Sequence, residues 1–222
     1  LPDHEIQNLK ELLAIFPPRE SPRAAVRYRA SLSTMWAFKN FPTLADFFEF
    51  ASRSGLAEIE LNHQVDSRML EGLDLSKYRF SSIHEPCPAD ISLPELTRRD
   101  WLISSLDEDK RREGVHAVKR SIDLAQKIGA RVIVVHPGTT TLDAGYEKRL
   151  RELYAGGRQE TAEFRALNRL MQETRAELAP AAVEAVKKSL IELLAYAKGS
   201  GVRLGLENRY HYREIPNPDE MQ

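Results

Sequence analysis

Two periods alternate along the chain. At 30–34, Ala30-Ser31-Leu32-Ser33-Thr34 switches between apolar and polar at every step, the period of a strand with one buried face. Leu44, Phe47, Phe48 and Ala51 then recur at helical spacing behind Thr43, a residue suited to cap the helix, and Gly55 closes it. The same exchange repeats. Strands are predicted at 57–62, 78–84, 131–135 and 202–207, and helices at 67–73, 108–128 and 180–198. Gly129 follows the second of these helices, and Gly199-Ser200-Gly201 follows the third. A further helix is predicted over 2–15, where Ile6, Leu9, Leu12 and Leu13 share a face until Phe16-Pro17-Pro18 ends it.

Strands that alternate with helices imply a parallel sheet with right-handed crossovers, either doubly wound or closed as a (βα)8 TIM barrel. No strand leads into a glycine-rich dinucleotide fingerprint or a phosphate-binding loop, and polar residues recur at strand C-termini. We therefore expect an α/β barrel, represented through its fifth strand and the start of the next helix. Residues 1–27 form an N-terminal helix and linker, and 28–222 a partial barrel domain. The stretch 139–179 exceeds what one crossover requires. It reads equally as a helical lid over the site and as a charged, solvated excursion or oligomer contact.

Composition changes this picture little. The 222 residues can bury a single core, and 32 Lys+Arg against 33 Asp+Glu leave no basic field to attract nucleic acid. One cysteine, Cys87, excludes an internal disulfide and fits a reducing, cytoplasmic setting. No apolar run is long enough for a membrane helix. The sequence opens on Leu1, and five units do not close an eight-stranded barrel, so about 50 to 100 further residues are expected. The open strand edge would invite association with a second copy.

Alternation along strands places Glu58, Glu60 and Asn62 on one face, and likewise Phe80, Ser82 and His84; Val132, Val134 and His136; and Arg203, Gly205 and Glu207. Polar groups gathered at a barrel rim cost desolvation unless they bind something, and imidazole and carboxylate suit a divalent ion such as Mn, Zn, Co or Mg. Glu207 leads, because a carboxylate ending the run Leu204-Gly205-Leu206 has no evident surface role. His84 and His136 could each contact metal or substrate, or be structural histidines. Glu60 reads as a substrate or supporting group, or as an acid paired with Arg203 or Arg29. Asn62, Asn208 and Arg209 are substrate-binding candidates. His63 is expected in solvent, His4 and His116 are set aside, His211 is left open, and Cys87 is an idle thiol. There is neither a G-x-S-x-G elbow nor an H-E-x-x-H helix.

Ile83-His84-Glu85-Pro86, Val134-Val135-His136-Pro137-Gly138 and Leu204-Gly205-Leu206-Glu207-Asn208 together resemble strands three, four and five of the xylose-isomerase-like TIM-barrel superfamily. That group includes sugar phosphate isomerases/epimerases and an endonuclease IV branch. The resemblance, from about Tyr28 onward, implies a metal-dependent isomerase or epimerase acting on a sugar, sugar phosphate or related polyol. Glu207 would be ligand and proton-transfer group, with His84 and His136 on metal or substrate. The alternatives it leaves are an endonuclease IV-like phosphodiester hydrolase, with both histidines on zinc, and a non-catalytic barrel-derived binding protein. The family's ligands from strands six to eight have no counterpart before Gln222.

Overall fold

The computed structural model describes residues 30–56 and 58–221. The helix expected over 2–15 and the linker to residue 27 lie outside the described residues, as does Arg29. β1 (Ser31–Ser33) leads through α1 (Ala37–Asn40) and α2 (Leu44–Arg53) to β2 (Glu58–Leu61). α3 (Ser67–Leu70) and a 3-10 turn precede β3 (Phe80–His84). α4 (Leu93–Arg99) and α5 (Glu108–Ile128) lead to β4 (Val132–Val135) and the short β5 (Gly138–Thr139). α6 (Gly145–Ala155) and α7 (Ala162–Ala197) follow, then β6 (Arg203–Leu206) and the short β7 (Glu214–Ile215).

The five main strands form one sheet in the order β1-β2-β3-β4-β6, every pair parallel. Strand order follows chain order without reversal. A doubly wound sheet has a switch point where the order turns back, whereas a barrel adds each strand beside the last. The sheet is thus an arc of barrel, as expected. The other two strands pair with each other, antiparallel, as a ribbon.

Burial distinguishes the two faces of the arc. Ile59, Leu61, Ile83, Ile133 and Val135 point to the helices and are almost fully buried, packed with Phe47, Phe48, Val118, Ile122 and Leu193. Each large apolar side chain so buried contributes about 1.5–3 kcal/mol. The alternate positions, Glu60, Ser82, His84, Val132 and Val134, lie on the opposite, partly open face. Caps match the sequence signals: the Thr43 hydroxyl accepts the Asp46 N–H at 3.2 Å, and Gly129 closes α5 in the left-handed region.

Two expectations are corrected. Pro180 does not begin a helix; it lies inside the 36-residue α7. Proline lacks the N–H that would reach back to the Ala176 carbonyl and normally breaks a helix interior. Here Met171, Arg175, Ala179, Ala182 and Val186 are buried on both sides of it, and that packing carries the helix through. Phe80 does not share a face with Ser82. A register irregularity between Ile59 and Glu60 pairs Ile59 with Phe80 but Glu60 with Ser82, so one residue is skipped and Phe80 turns to the helix side, 5.8 Å from the Phe48 ring. Among the described residues no helix is long and apolar enough to cross a membrane.

Candidate metal centre

Three consecutive strands deliver three side chains to one point. His84 is the last residue of β3, His136 follows β4, and Glu207 follows β6. Each main chain is held in register there: Glu85 N–H donates to the Val134 carbonyl at 3.1 Å, and Glu207 N–H to the Val135 carbonyl at 3.0 Å. His84 Nε2 and His136 Nε2 are 2.8 Å apart, and Glu207 Oε2 lies 3.1 and 3.0 Å from them. Glu207 Oε1 makes no hydrogen bond to a described residue.

This triangle fits a cation. Neighbouring ligands each about 2.1 Å from one ion stand about 3 Å apart when the angle between them is near 90°. Two imidazoles and a carboxylate are the donor set of Zn, Mn or Co more than of Ca. The three have the residue types and strand-end positions expected from the sequence.

The surroundings differentiate the two histidines. Burial disfavours charge on His84, but Glu60, 4.0 Å from its Nδ1, with Glu207 and Glu85 nearby, outweighs it and raises its pKa. His136 goes the other way: burial lowers its pKa against the opposing pull of Glu207. Its Nδ1 is buried without a partner among the described residues. Glu60 is held in turn by the Ser82 hydroxyl at 2.9 Å, and the His84 imidazole is the main cause of its lowered pKa. Glu60 therefore supports His84 and does not pair with Arg203.

The other candidates separate. Asn62 is fully buried; its N–H donates to Thr34 Oγ1 at 2.9 Å and its Oδ1 accepts the Gln64 N–H at 2.9 Å, which shapes the turn after β2, while its Nδ2 is buried without a partner among the described residues. Asn208 is exposed beyond Glu207. Arg209 reaches Glu214 at 3.4 Å and lines a cavity beside His136. His63, expected in solvent, is half-buried with its ring 6.3 Å from that of His84, and burial lowers its pKa. Cys87 is buried, its thiol pushed up to about 12 by burial, and is chemically idle.

Glu85 escaped the sequence reading. Its carboxylate accepts the His136 backbone N–H at 3.1 Å, and burial pushes its pKa up to about 7. A glutamate beside a strand-end histidine in the run His84-Glu85-Pro86 was the available signal, but strand alternation points it away from the rim.

An arc of parallel strands added in chain order, with a His/His/Glu cluster whose donor atoms could hold a cation at its C-terminal rim, is the architecture of a TIM barrel. The xylose isomerase-like TIM barrel family model matches residues 48–220, and the chain belongs to that family. Among solved structures the chain is similar to a D-tagatose 3-epimerase-like protein, with TM-score 0.52 and 16% identity over 85% of this chain and 55% of the other. An L-ribulose 3-epimerase aligns with TM-score 0.48 and 16% identity over 80% of this chain and 48% of its own. The chain thus spans about half the length of these structures. No curated protein matches it.

Proposed function

We propose that this chain carries the metal-binding portion of a sugar isomerase or epimerase site, with Glu207, His84 and His136 as ligands of one divalent ion. The observation that carries the reading is the convergence of two imidazole nitrogens and one carboxylate oxygen within 2.8–3.1 Å on three adjacent strand ends. A bound ion supplies polarisation of substrate oxygens, which acidifies the C–H bond next to the carbonyl. The protein groups do the rest. Glu207, with Oε2 turned to the histidines and Oε1 free of hydrogen bonds to described residues, accepts the proton from that carbon. An isomerase returns it to the former carbonyl carbon while the hydroxyl proton passes between the two oxygens, and an epimerase has a proton delivered to the same carbon from the opposite face. Glu60 orients His84, and Glu85 fixes the His136 backbone. The domain assignment, a barrel portion over 28–222 with the 139–179 excursion, belongs to the same proposal, as does a small carbohydrate substrate met in the cytoplasm.

The presence of both histidines beside Glu207 favours a second reading, a zinc phosphodiester hydrolase of the endonuclease IV type. A net charge of −1 weighs against it.

Calorimetry on chelator-treated protein tests the first reading. One Mn, Co or Zn ion per chain is expected, with affinity reduced at least tenfold by Glu207→Gln or His136→Ala, and metal-dependent interconversion of ketoses and aldoses by the wild type. Absence of metal binding, or unchanged affinity in both variants, overturns it. Metal binding accompanied by cleavage of abasic DNA selects the hydrolase.

A further inference from the structure

A cavity of about 250 Å³ opens beside the cluster. His136 and Glu85 border it on the strand side, Trp101 on the apolar side, and Arg209, Arg213 and Glu214 come from the segment after β6. The volume lies just below the usual range for small-molecule sites, which starts at roughly 300 Å³, and suits one substituent of a small molecule.

Arg213 is held firmly and left unpaired. Its carbonyl accepts the Thr140 N–H at 2.8 Å and the Thr139 and Thr140 hydroxyls at 3.1 Å each, which fixes the backbone from which the side chain departs. That side chain makes no hydrogen bond or ion pair with any described residue, and its Nε is buried without a partner. Guanidinium does not shed its proton, so a half-buried arginine with no counter-charge is costly until an anion meets it.

The acids nearby are committed elsewhere. Glu214 Oε2 accepts the His211 N–H at 3.0 Å, and its Oε1 faces Arg209 at 3.4 Å. Glu85 Oε1 accepts the His136 N–H. Glu147 takes the His211 ring at 2.8 Å together with the Tyr212 N–H. The His211 ring and the Arg209 guanidinium are thereby partnered, and Arg213 is the arginine lining this cavity whose side chain has no partner among the described residues.

We propose that the cavity receives an anionic group of the substrate, a carboxylate or phosphate borne by the sugar, gripped by the Arg213 guanidinium with Arg209 beside it. The oxyanion matches the planar fork, and the cavity's contact with His136 would place the substrate's reactive end at the metal ligands. The identity of the rest of the substrate rests on the isomerase or epimerase reading above; the anion subsite itself does not. A cavity of this size suits one small-molecule group rather than a nucleic-acid backbone.

Chemical-shift titration of chelator-treated protein keeps a bound metal from attracting the anion. The probes are inorganic phosphate, a ketopentose 5-phosphate, a hexuronate and the neutral ketopentose. At least one charged sugar should bind tenfold or more tightly than the neutral one, phosphate or carboxylate being distinguished by which does. Arg213→Gln should erase that preference, and Arg213→Lys should restore part of it, with metal affinity serving as the check on folding. Equal binding of charged and neutral sugars, or a preference that survives Arg213→Gln, overturns the subsite, even where the metal-loaded wild type isomerises neutral sugars. Arg213-dependent binding of inorganic phosphate without binding of any sugar upholds the subsite and removes the sugar reading. A single-stranded oligonucleotide that binds more tightly than every small probe overturns the proposal in favour of a phosphodiester substrate.

Discussion

A carboxyl group buried beside two histidines stores a pH dependence that can be read directly. Glu85 has its folded-state pKa raised from 4.5 to about 7, chiefly by burial, while its exposed, unfolded counterpart titrates near 4.5. Between these values the folded chain binds the extra proton, so this contribution to stability is fully present below about pH 4.5 and is lost as pH rises through 7. Glu85→Gln keeps an oxygen for the His136 N–H and cannot ionise. In chelator-treated protein it should match the wild type near pH 5 and exceed it at pH 8 by up to about 3 kcal/mol, measured by urea unfolding at both pH values. Glu60 acts on its neighbour in the opposite sense, because its charge raises the His84 pKa. Glu60→Gln should lower the His84 pKa, read from its ring proton shifts in metal-free protein, and weaken metal binding about tenfold. A lowered affinity with the His84 titration unmoved would reduce Glu60 to a packing role.

At the scale of elements, helices and strands were legible wherever one period ran uninterrupted. The 3.6-residue period from Glu108 and the stop at Gly129 give α5 its observed bounds, and the β-branched run expected at 131–135 contains β4. Legibility failed where a long-range contact overrode local preference, as with Pro180 inside α7 and the skipped residue that turns Phe80. It also failed where a close approach was needed. Gly114 read as one more helical position, yet a Cβ there would stand 2.5 Å from the Leu102 carbonyl carbon and 2.7 Å from the Ile103 nitrogen. Both are backbone atoms and neither can rotate aside. Gly114→Ala should therefore destabilise the fold by about 1–3 kcal/mol, although alanine is the better helix former by about 1 kcal/mol. Thermal unfolding decides it, and an unchanged or raised Tm would mean that the segment 101–105 yields freely. For the cluster, alternation alone brought His84, His136 and Glu207 to one rim. It did not reveal Glu85, Arg213 or His63, whose importance depends on burial and on loop paths that no period encodes.

Across the whole molecule, the excursion after β4 is where the two opposing expectations meet, since it is charged and largely solvated yet fastened to the site segment. Arg175, buried in α7, donates to the Tyr212 and Glu214 carbonyls at 2.6 and 3.0 Å and pairs with Glu220 at 2.7 Å. From α6, Glu147 holds His211. Two helices of the excursion thus grip 211–220, the stretch that presents Arg213 to the cavity, while the ribbon pairing Gly138 with Ile215 ties the same stretch to the end of β4. Arg175→Met removes the guanidinium and leaves a largely buried carboxylate and two carbonyls to find water. We expect a loss of about 2–4 kcal/mol in stability. Because Arg175 touches none of His84, His136 and Glu207, the loss should fall unevenly. Amide exchange should accelerate across 211–220 while the amides of β3 and β4 stay protected, and metal affinity should change far less than binding of a charged sugar. Uniform acceleration over the sheet would instead mean that the latch supports the entire arc, and the excursion would then be a structural brace rather than a holder of the substrate side of the site.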